Sequence, residues 1–131
     1  IRVPLIVAGP GIESAETQAL VELFDLNPTL CELAGLPPVD DLDARSFAPL
    51  LWGQQAEHRA RCAIRGEKFT CLRDRTWKYI DNEDEPPELY DLRSDPDETC
   101  NLADAQPRKV RELADALTSR MAASPASSLN S

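Results

Sequence analysis

The sequence is poor in the residues that bind transition metals. It has one histidine, His58, and its four cysteines form no C-x-x-C pair. A zinc site needs four such ligands, or three and a water, so no metal site is predicted. Positive charge is also scarce, because 14 Lys and Arg face 23 Asp and Glu and the net charge is −9. Phosphate backbones and anionic lipids would be repelled, which excludes nucleic acid and membranes as expected partners.

Long apolar runs are missing as well. No stretch approaches the roughly 20 residues of a membrane span, and no basic-plus-apolar leader is recognisable. The sequence starts at Ile1 rather than at a methionine. The missing leader therefore predicts nothing about the cellular compartment, which stays unknown.

The first nine residues are apolar almost without alternation after Arg2. This pattern is typical of a strand that is covered on both faces within a parallel sheet. Parallel neighbours require crossover connections of a dozen or more residues, and only one clear helix follows before the pattern becomes antiparallel. The strand is therefore predicted to belong to a sheet whose other strands this chain does not supply.

That helix is predicted near residues 27–34. Asn27 or Asp25 can cap its N-terminus, and Pro28 suits its first turn. Gly35, which two prolines follow, ends it. Its apolar side is formed by Leu30, Leu33 and Ala34.

Residues 60–92 alternate between apolar and polar positions and predict an antiparallel meander. A turn at Asp74-Arg75 would place Leu72 opposite Trp77, so that apolar side chains pair across the strands. The predicted strands lie near 60–65, 68–73, 76–81 and 88–92.

Two cysteines fall in this meander. A turn at Gly66-Glu67 would place Cys62 opposite Cys71, near enough for a disulfide. The alternative, which we favour, is a pair of buried thiols, because free cysteine is a common core residue. The acidic loop 81–88 lacks the ligand spacing of a calcium loop and is interpreted as a solvated charge run.

After the last strand, Asp95, Pro96 and Glu98 have the spacing of an N-cap, N1 and N3, which predicts a capping box at the start of a short helix. Asn101 would end that helix. A longer amphipathic helix is predicted after Pro107, with one apolar face formed by Val110, Leu113, Ala114, Leu117 and Met121.

Four motifs, taken in order, resemble the C-terminal part of type I sulfatases, within the alkaline-phosphatase-like superfamily. They cover roughly residues 1–121, and their order along the chain is more specific than any one motif. The matching segments are the apolar run 1–11 with the helix around 25–36, residues 42–53, the hairpin 73–80, and the ELYDL, DPDE and NLA run between Glu88 and Ala103.

The resemblance implies hydrolysis of sulfate esters or sulfamates by a formylglycine, which the family makes from Cys or Ser in a C/S-x-P/A-x-R motif. It also implies a divalent cation, usually Ca²⁺, held by earlier residues. Cys71 is followed by an arginine at the right distance, Arg75, but Arg73 stands where the family has Pro or Ala. No residue of this chain is therefore predicted to be catalytic or to bind metal.

The resemblance also implies that this region lies beside the active-site cleft. Cations near the first turn of the meander would then meet an anionic sulfated substrate. The candidates for this substrate rim are His58, Arg59, Arg61, Arg65 and Lys68. The alternative is that these are ordinary solubilising residues at strand ends.

The predicted fold class is α/β, or α+β for the chain in isolation. Residues 1–55 would be the end of the large domain, residues 56–122 a subdomain with a four-stranded antiparallel sheet and a packing helix, and residues 123–131 a disordered tail. The expected partners are the N-terminal catalytic domain and a sulfated small molecule or glycan. Two alternatives remain open, namely an independent acidic module that binds protein or calcium, and a fragment of a phosphate or phosphonate ester hydrolase.

Overall fold

The computed structural model describes residues 3–37 and 43–123. The chain divides into two compact units, Ile1–Arg59 and Ala60–Ser131, which are called unit 1 and unit 2. The predicted division after residue 55 concerns the domains of a longer protein and stays a prediction. Of the predicted tail, Ala123 belongs to the last helix and residues 124–131 lie outside the described residues.

Unit 2 contains the predicted antiparallel meander. Its four strands are hydrogen-bonded in the order β1-β2-β3-β4, which confirms that prediction. One face of the sheet packs against helix α3, Pro107–Ala123, through Leu113 and Leu117, both of which are buried. The strands are β1 Cys62–Arg65, β2 Phe69–Arg73, β3 Trp77–Asn82 and β4 Glu88–Asp91.

The apolar row across the sheet forms the centre of this core. Leu72, Tyr79 and Leu89 lie opposite one another on β2, β3 and β4, and each is at most 3% exposed. Fully burying side chains of this size contributes about 1.5–3 kcal/mol each. The core of unit 2 is therefore completed by its own sheet and helix.

Both predicted hairpin registers are wrong by two residues. Leu72 lies opposite Tyr79 rather than Trp77, because the loop between β2 and β3 contains Arg75 and Thr76. The Asp74 carboxylate fixes this loop by accepting hydrogen bonds from the backbone N–H groups of Thr76 and Trp77, both at 2.7 Å. An Asp side chain that holds the backbone two residues on is a common turn device.

The first hairpin is shifted in the same way. The Gly66 N–H donates to the Phe69 carbonyl at 2.8 Å, so the loop contains Glu67 and Lys68, and Cys62 lies opposite Arg73. Cys62 and Cys71 form no disulfide, and both are buried. The interpretation as two buried thiols is therefore confirmed.

The capping box predicted at Asp95 is also wrong. The segment forms a turn that the Glu98 N–H closes on the Asp95 carbonyl, and Glu98 has a left-handed φ of 57°. A residue in that conformation ends any continuation into a helix. The Asp95 carboxylate instead accepts the backbone N–H groups of Thr99 and Cys100 at 2.8 Å. Asn101 does not end a helix, because its side-chain oxygen accepts the N–H of Leu89.

Unit 1 has short helices and very little sheet. A 3-10 helix, Leu23–Asp25, leads into α1, Leu26–Leu33, and α2 covers Ala48–Leu51. Gly35 follows α1 with a left-handed φ of 68°, as its predicted role in ending the helix requires. Within the described part of the chain, residues 3–9 belong to no strand ladder.

Unit 1 leaves large apolar side chains exposed. Ile6 is 90% exposed, and Leu30, on the predicted apolar side of α1, is 61% exposed. All seven large apolar side chains that are exposed in the described residues belong to unit 1: Val3, Leu5, Ile6, Leu23, Phe24, Leu30 and Leu36. Exposed apolar side chains are a feature of interaction surfaces when they lie together.

Candidate functional site

The most highly connected polar side chain of unit 1 is Asp25, at the junction of the 3-10 helix and α1. It is 0% exposed and accepts the backbone N–H of Glu22 at 3.0 Å and that of Arg45 at 2.8 Å. The guanidinium of Arg59 donates to both carboxylate oxygens, from Nε at 2.8 Å and from Nη2 at 2.5 Å. His58 Nε2 lies 3.1 Å from Oδ2. We call Glu22, Asp25, Thr29, His58 and Arg59 the Asp25 cluster.

Thr29 extends this cluster to a third segment of the chain. Its hydroxyl donates to the Asp25 carbonyl at 2.6 Å and accepts the Phe47 N–H at 2.9 Å. The cluster therefore holds together the start of α1, the residues before α2 and the segment that contains His58 and Arg59.

The electrostatics of the cluster favour its charged form. Burial would raise the pKa of Asp25, but the hydrogen bonds from Arg59 and from the backbone of Arg45 and Glu22 outweigh it and lower that pKa. Burial likewise opposes the charge of Arg59, while Asp25 and Glu22 raise its pKa overall. Because Asp25 is ionised, His58 must donate from Nε2 to it. The cluster is an internal ion-pair network, in which Glu22 Oε2 lies 3.2 Å from Arg59 without an aligned hydrogen bond.

Two of the five predicted rim residues belong to this cluster. The side chains of His58 and Arg59 are 5% and 4% exposed, and Arg59 also pairs with Glu22 at 3.2 Å. The Phe24 ring lies 5.2 Å from the Arg59 guanidinium carbon. Their contacts are therefore directed into unit 1.

The other three rim candidates lie in unit 2, at two ends of β1. Arg61 precedes the strand and pairs with Asp74 at 3.9 Å and Glu112 at 3.7 Å. Arg65 and Lys68 lie together at the opposite end and line a shallow depression of about 310 Å³. The structure thus brings Arg65 and Lys68 together but not all five residues.

That depression has mixed charge. Asp81 and Glu83 line it together with Arg65 and Lys68, and Lys68 pairs with Asp84 at 3.1 Å on the surface. An exposed pair of this kind contributes little to stability, so its ammonium group can exchange partners at small cost. The acidic neighbours weaken the attraction for a sulfate, which leaves a weak anion site at most.

Cys71 does not fit the formylglycine position. It lies within β2, is 2% exposed, and burial raises the pKa of its thiol. A nucleophilic or modified cysteine needs access and a thiolate, and this position offers neither. Among residues 3–37 and 43–123, no group of three or more His, Cys, Asp or Glu side chains could hold a metal ion.

Two residues with unusual environments were not predicted. Asp25 was considered only as a helix cap, and its partner Arg59 is 34 residues away in the sequence. Arg73 lies on β2 directly opposite Lys78, and its Nε is buried. The one sequence signal for either residue was the hairpin alternation, which places Arg73 on the sheet face away from Leu72.

None of the described helices is long and apolar enough to cross a membrane.

Comparison with known proteins gives consistent matches. Residues 1–126 match a family model described as N-sulphoglucosamine sulphohydrolase, C-terminal. The chain is 35% identical to arylsulfatase K of Gallus gallus over 130 residues, which is 86% of this chain and 24% of that protein. The chain thus spans about a quarter of the length of this relative.

Two solved structures share the fold. One is described as a 2-O GAG sulfatase, with a TM-score of 0.75 and 28% identity over 88% of this chain and 28% of that chain. The other is a phosphonate monoester hydrolase of Agrobacterium radiobacter, with a TM-score of 0.61 and 29% identity over 75% of this chain and 24% of that chain. The predicted α/β fold with an antiparallel C-terminal sheet is confirmed by these neighbours.

Proposed function

The chain belongs to the sulfatase C-terminal family of the alkaline-phosphatase-like superfamily, and from this premise we propose that it forms the C-terminal part of an enzyme that hydrolyses sulfate esters. Sulfatases in general use calcium and formylglycine. In our proposal the N-terminal part of the full-length protein supplies both. The interpretation as an acidic binding module and that as a phosphonate ester hydrolase fragment are not favoured by the matches to sulfatases.

The family match over residues 1–126 supports the reaction, and the uneven exposure of apolar side chains supports association with an N-terminal part. Unit 2 buries its own core, whereas all seven exposed large apolar side chains of the described residues belong to unit 1. Burying apolar surface contributes about 25 cal/mol per Å², so a matching surface on the N-terminal part would bind unit 1 strongly. The role of unit 1 is then to hold this surface in a fixed shape. The Asp25 cluster contributes to this by connecting the start of α1, the residues before α2 and the segment with His58 and Arg59.

The experiment is complementation between two polypeptides. The 131-residue chain and the N-terminal part of the same protein are co-expressed, and hydrolysis of a chromogenic aryl sulfate is measured with calcium present. We expect turnover from the pair and none from the 131-residue chain alone. Full-length protein that is folded but lacks activity on all sulfate esters tested would contradict the proposal.

A substitution in unit 1 tests directly whether its exposed apolar surface binds the N-terminal part. Ile6→Asp places a charge at a side chain that is 90% exposed here but buried in the proposed assembly. We expect it to reduce co-purification of the two parts at least tenfold, because an unpaired charge in an interface is costly. Thr118→Asp, at an exposed position of α3, is the matched control and should leave co-purification unchanged.

For the substrate rim, we propose that Arg65 and Lys68 act together at the end of the first hairpin, whereas His58 and Arg59 stabilise unit 1 and Arg61 pairs with Asp74 and Glu112 at the other end of β1. Their exposure and shared position support this choice, since an anion can approach both. In the same assay, a combined Arg65→Ala and Lys68→Ala change should raise KM for a polyanionic substrate about threefold or more with kcat unchanged. An unchanged KM would remove these residues from the rim.

A further inference from the structure

The face of the unit 2 sheet that lies away from α3 has an unusual charge arrangement. Leu72 packs into the core with α3, so its neighbours on β2, Cys71 and Arg73, point to the other face. Arg73 lies directly opposite Lys78 on β3. Like charges that face each other across two strands destabilise the pairing. A sheet with this pair needs an anion nearby.

Lys78 has an anionic partner, whereas no ion pair of Arg73 is found within residues 3–37 and 43–123. Lys78 forms an ion pair with Glu98, whose left-handed turn brings its carboxylate to this face. The Nε of Arg73 is buried, and it has no hydrogen-bond acceptor in the described part of the chain. Arg73 as a whole is partly exposed, so water can reach the rest of its guanidinium, while the buried Nε–H is left without an acceptor.

A second carboxylate on this face, that of Glu88, is also engaged. Glu88 accepts a hydrogen bond from the Tyr90 hydroxyl at 2.5 Å and another from the Asn82 side chain at 3.0 Å. The pKa of Glu88 is lowered by these two bonds, and that of Tyr90 is raised to about 12 by the same contact. Both carboxylate oxygens of Glu88 are therefore occupied by donors other than Arg73.

We propose that Arg73 anchors unit 2 to the N-terminal part of the full-length protein, by pairing its guanidinium with a carboxylate of that part. The inference rests on the proposed function, since it requires that the chain, like its relatives, is about a quarter of a longer protein. A planar guanidinium binds a carboxylate through two parallel hydrogen bonds, and arginine is enriched at protein interfaces for this reason. A sulfated substrate is the competing anion, and the test separates the two.

The test compares Arg73→Met with wild type in the full-length protein and in the 131-residue chain. Methionine keeps much of the length and apolar stem of the side chain and removes the charge. We expect the melting temperature of the full-length protein to fall by at least about 2 °C, because a buried carboxylate would lose its partner. In the 131-residue chain the melting temperature should stay equal or rise, because the repulsion from Lys78 is removed.

Two control variants and the KM separate an interface role of Arg73 from a general effect of losing an arginine. Arg108→Met removes an arginine from an exposed position on α3 and should leave both melting temperatures unchanged. Arg73→Lys should recover less than half of the loss, since an ammonium group cannot replace a two-point contact. KM for the sulfated substrate should change less than about twofold in Arg73→Met.

Two results would overturn the inference. One is a full-length Arg73→Met protein that melts with the wild type. The other is a KM that rises by more than about twofold at any melting temperature, which would assign Arg73 to the substrate sulfate. Full-length wild-type protein without sulfatase activity would contradict the proposed function alone. The comparison of melting temperatures would still decide the role of Arg73.

Discussion

Replacing Asp25 tests whether the Asp25 cluster holds unit 1 together. In Asp25→Asn the side chain keeps its size, but its charge is lost and one acceptor oxygen becomes a donor group. Arg59, which is 4% exposed, would keep Glu22 at 3.2 Å and the more weakly acting charge of Asp43 as charged partners. Removing one member of a buried ion pair costs about 3–5 kcal/mol. Because Glu22 remains, we expect a loss near the lower limit, about 3 kcal/mol in the free energy of unfolding of unit 1.

The two tryptophans allow each unit to be followed separately. Trp52 lies in unit 1 and Trp77 in unit 2, so a Trp77→Phe background leaves Trp52 as the fluorescence probe of unit 1. With a urea dependence of about 1–2 kcal/mol per molar, a loss of about 3 kcal/mol lowers the midpoint by about 1.5–3 M. The matched control is Asp97→Asn, which changes an exposed Asp in the turn after β4 and should leave the midpoint of unit 1 within error.

An apolar replacement of the whole pair separates charge from shape. Asp25→Leu combined with Arg59→Met removes both charges, but it also removes the acceptor of the Glu22 and Arg45 N–H groups and the cation that pairs with Glu22. We therefore expect the double variant to unfold at no higher urea than Asp25→Asn alone. If Asp25→Asn lowers the free energy of unfolding of unit 1 by less than about 0.5 kcal/mol, Asp25 does not stabilise unit 1 in the way argued here.

The same cluster predicts the pH dependence of unit 1. The pKa of Asp25 is lower in the folded state than its ordinary value, because hydrogen bonds from Arg59 and from two backbone N–H groups outweigh the effect of burial. The unfolded state therefore takes up a proton first as the pH falls. The stabilisation from Asp25 should be complete above pH ~4 and should be lost as the pH falls through the folded-state pKa. In Asp25→Asn this part of the acid transition should be missing.

Two further predictions concern unit 2. Leu117→Ala should lower the free energy of unfolding of unit 2 by about 2–5 kcal/mol, since Leu117 is 3% exposed and packs into the sheet, whereas Thr118→Ala should change it by less than about 0.5 kcal/mol; Trp77 fluorescence in urea measures both. In a thiol assay of the folded chain at pH 8, Cys100 should react first and Cys71 only on unfolding, because Cys100 is exposed while burial raises the pKa of Cys71; equal rates in native protein would contradict this.

The strands of unit 2 could be predicted from sequence, but their registers could not. The alternation of apolar residues specifies which positions face α3, and that pattern is unchanged when a hairpin shifts by two residues. The register depends on which residues form the loop, and between β2 and β3 the Asp74 carboxylate decides this by binding the N–H groups of Thr76 and Trp77. The sequence predicts a turn at Asp74, but it does not show which backbone N–H groups the Asp74 carboxylate binds.

The Asp25 cluster was beyond prediction for a different reason. Helix signals are local, and they correctly gave α1 near residues 27–34 with Gly35 after it. The partners of Asp25 come from Arg45 and Arg59, which are 20 and 34 residues away. No periodicity connects such positions. The same distance explains why His58 and Arg59 were interpreted as rim cations, because a basic residue before a strand has the same sequence pattern whether it is exposed or paired inside.

In unit 1 the charged side chains of the Asp25 cluster are buried and paired with one another, whereas large apolar side chains are exposed. This contrast supports the proposed assembly. The Asp25 cluster pairs its charges internally, although buried charges are costly and an apolar core would hold the segments equally well. Such a cluster leaves the apolar side chains of α1 and residues 3–9 free to face outward, where Ile6 and Leu30 are found. A unit that folds independently is expected to bury its apolar side chains and to expose its charged ones. Unit 1 is therefore best explained as a preformed surface whose apolar contacts are made with the rest of a longer protein.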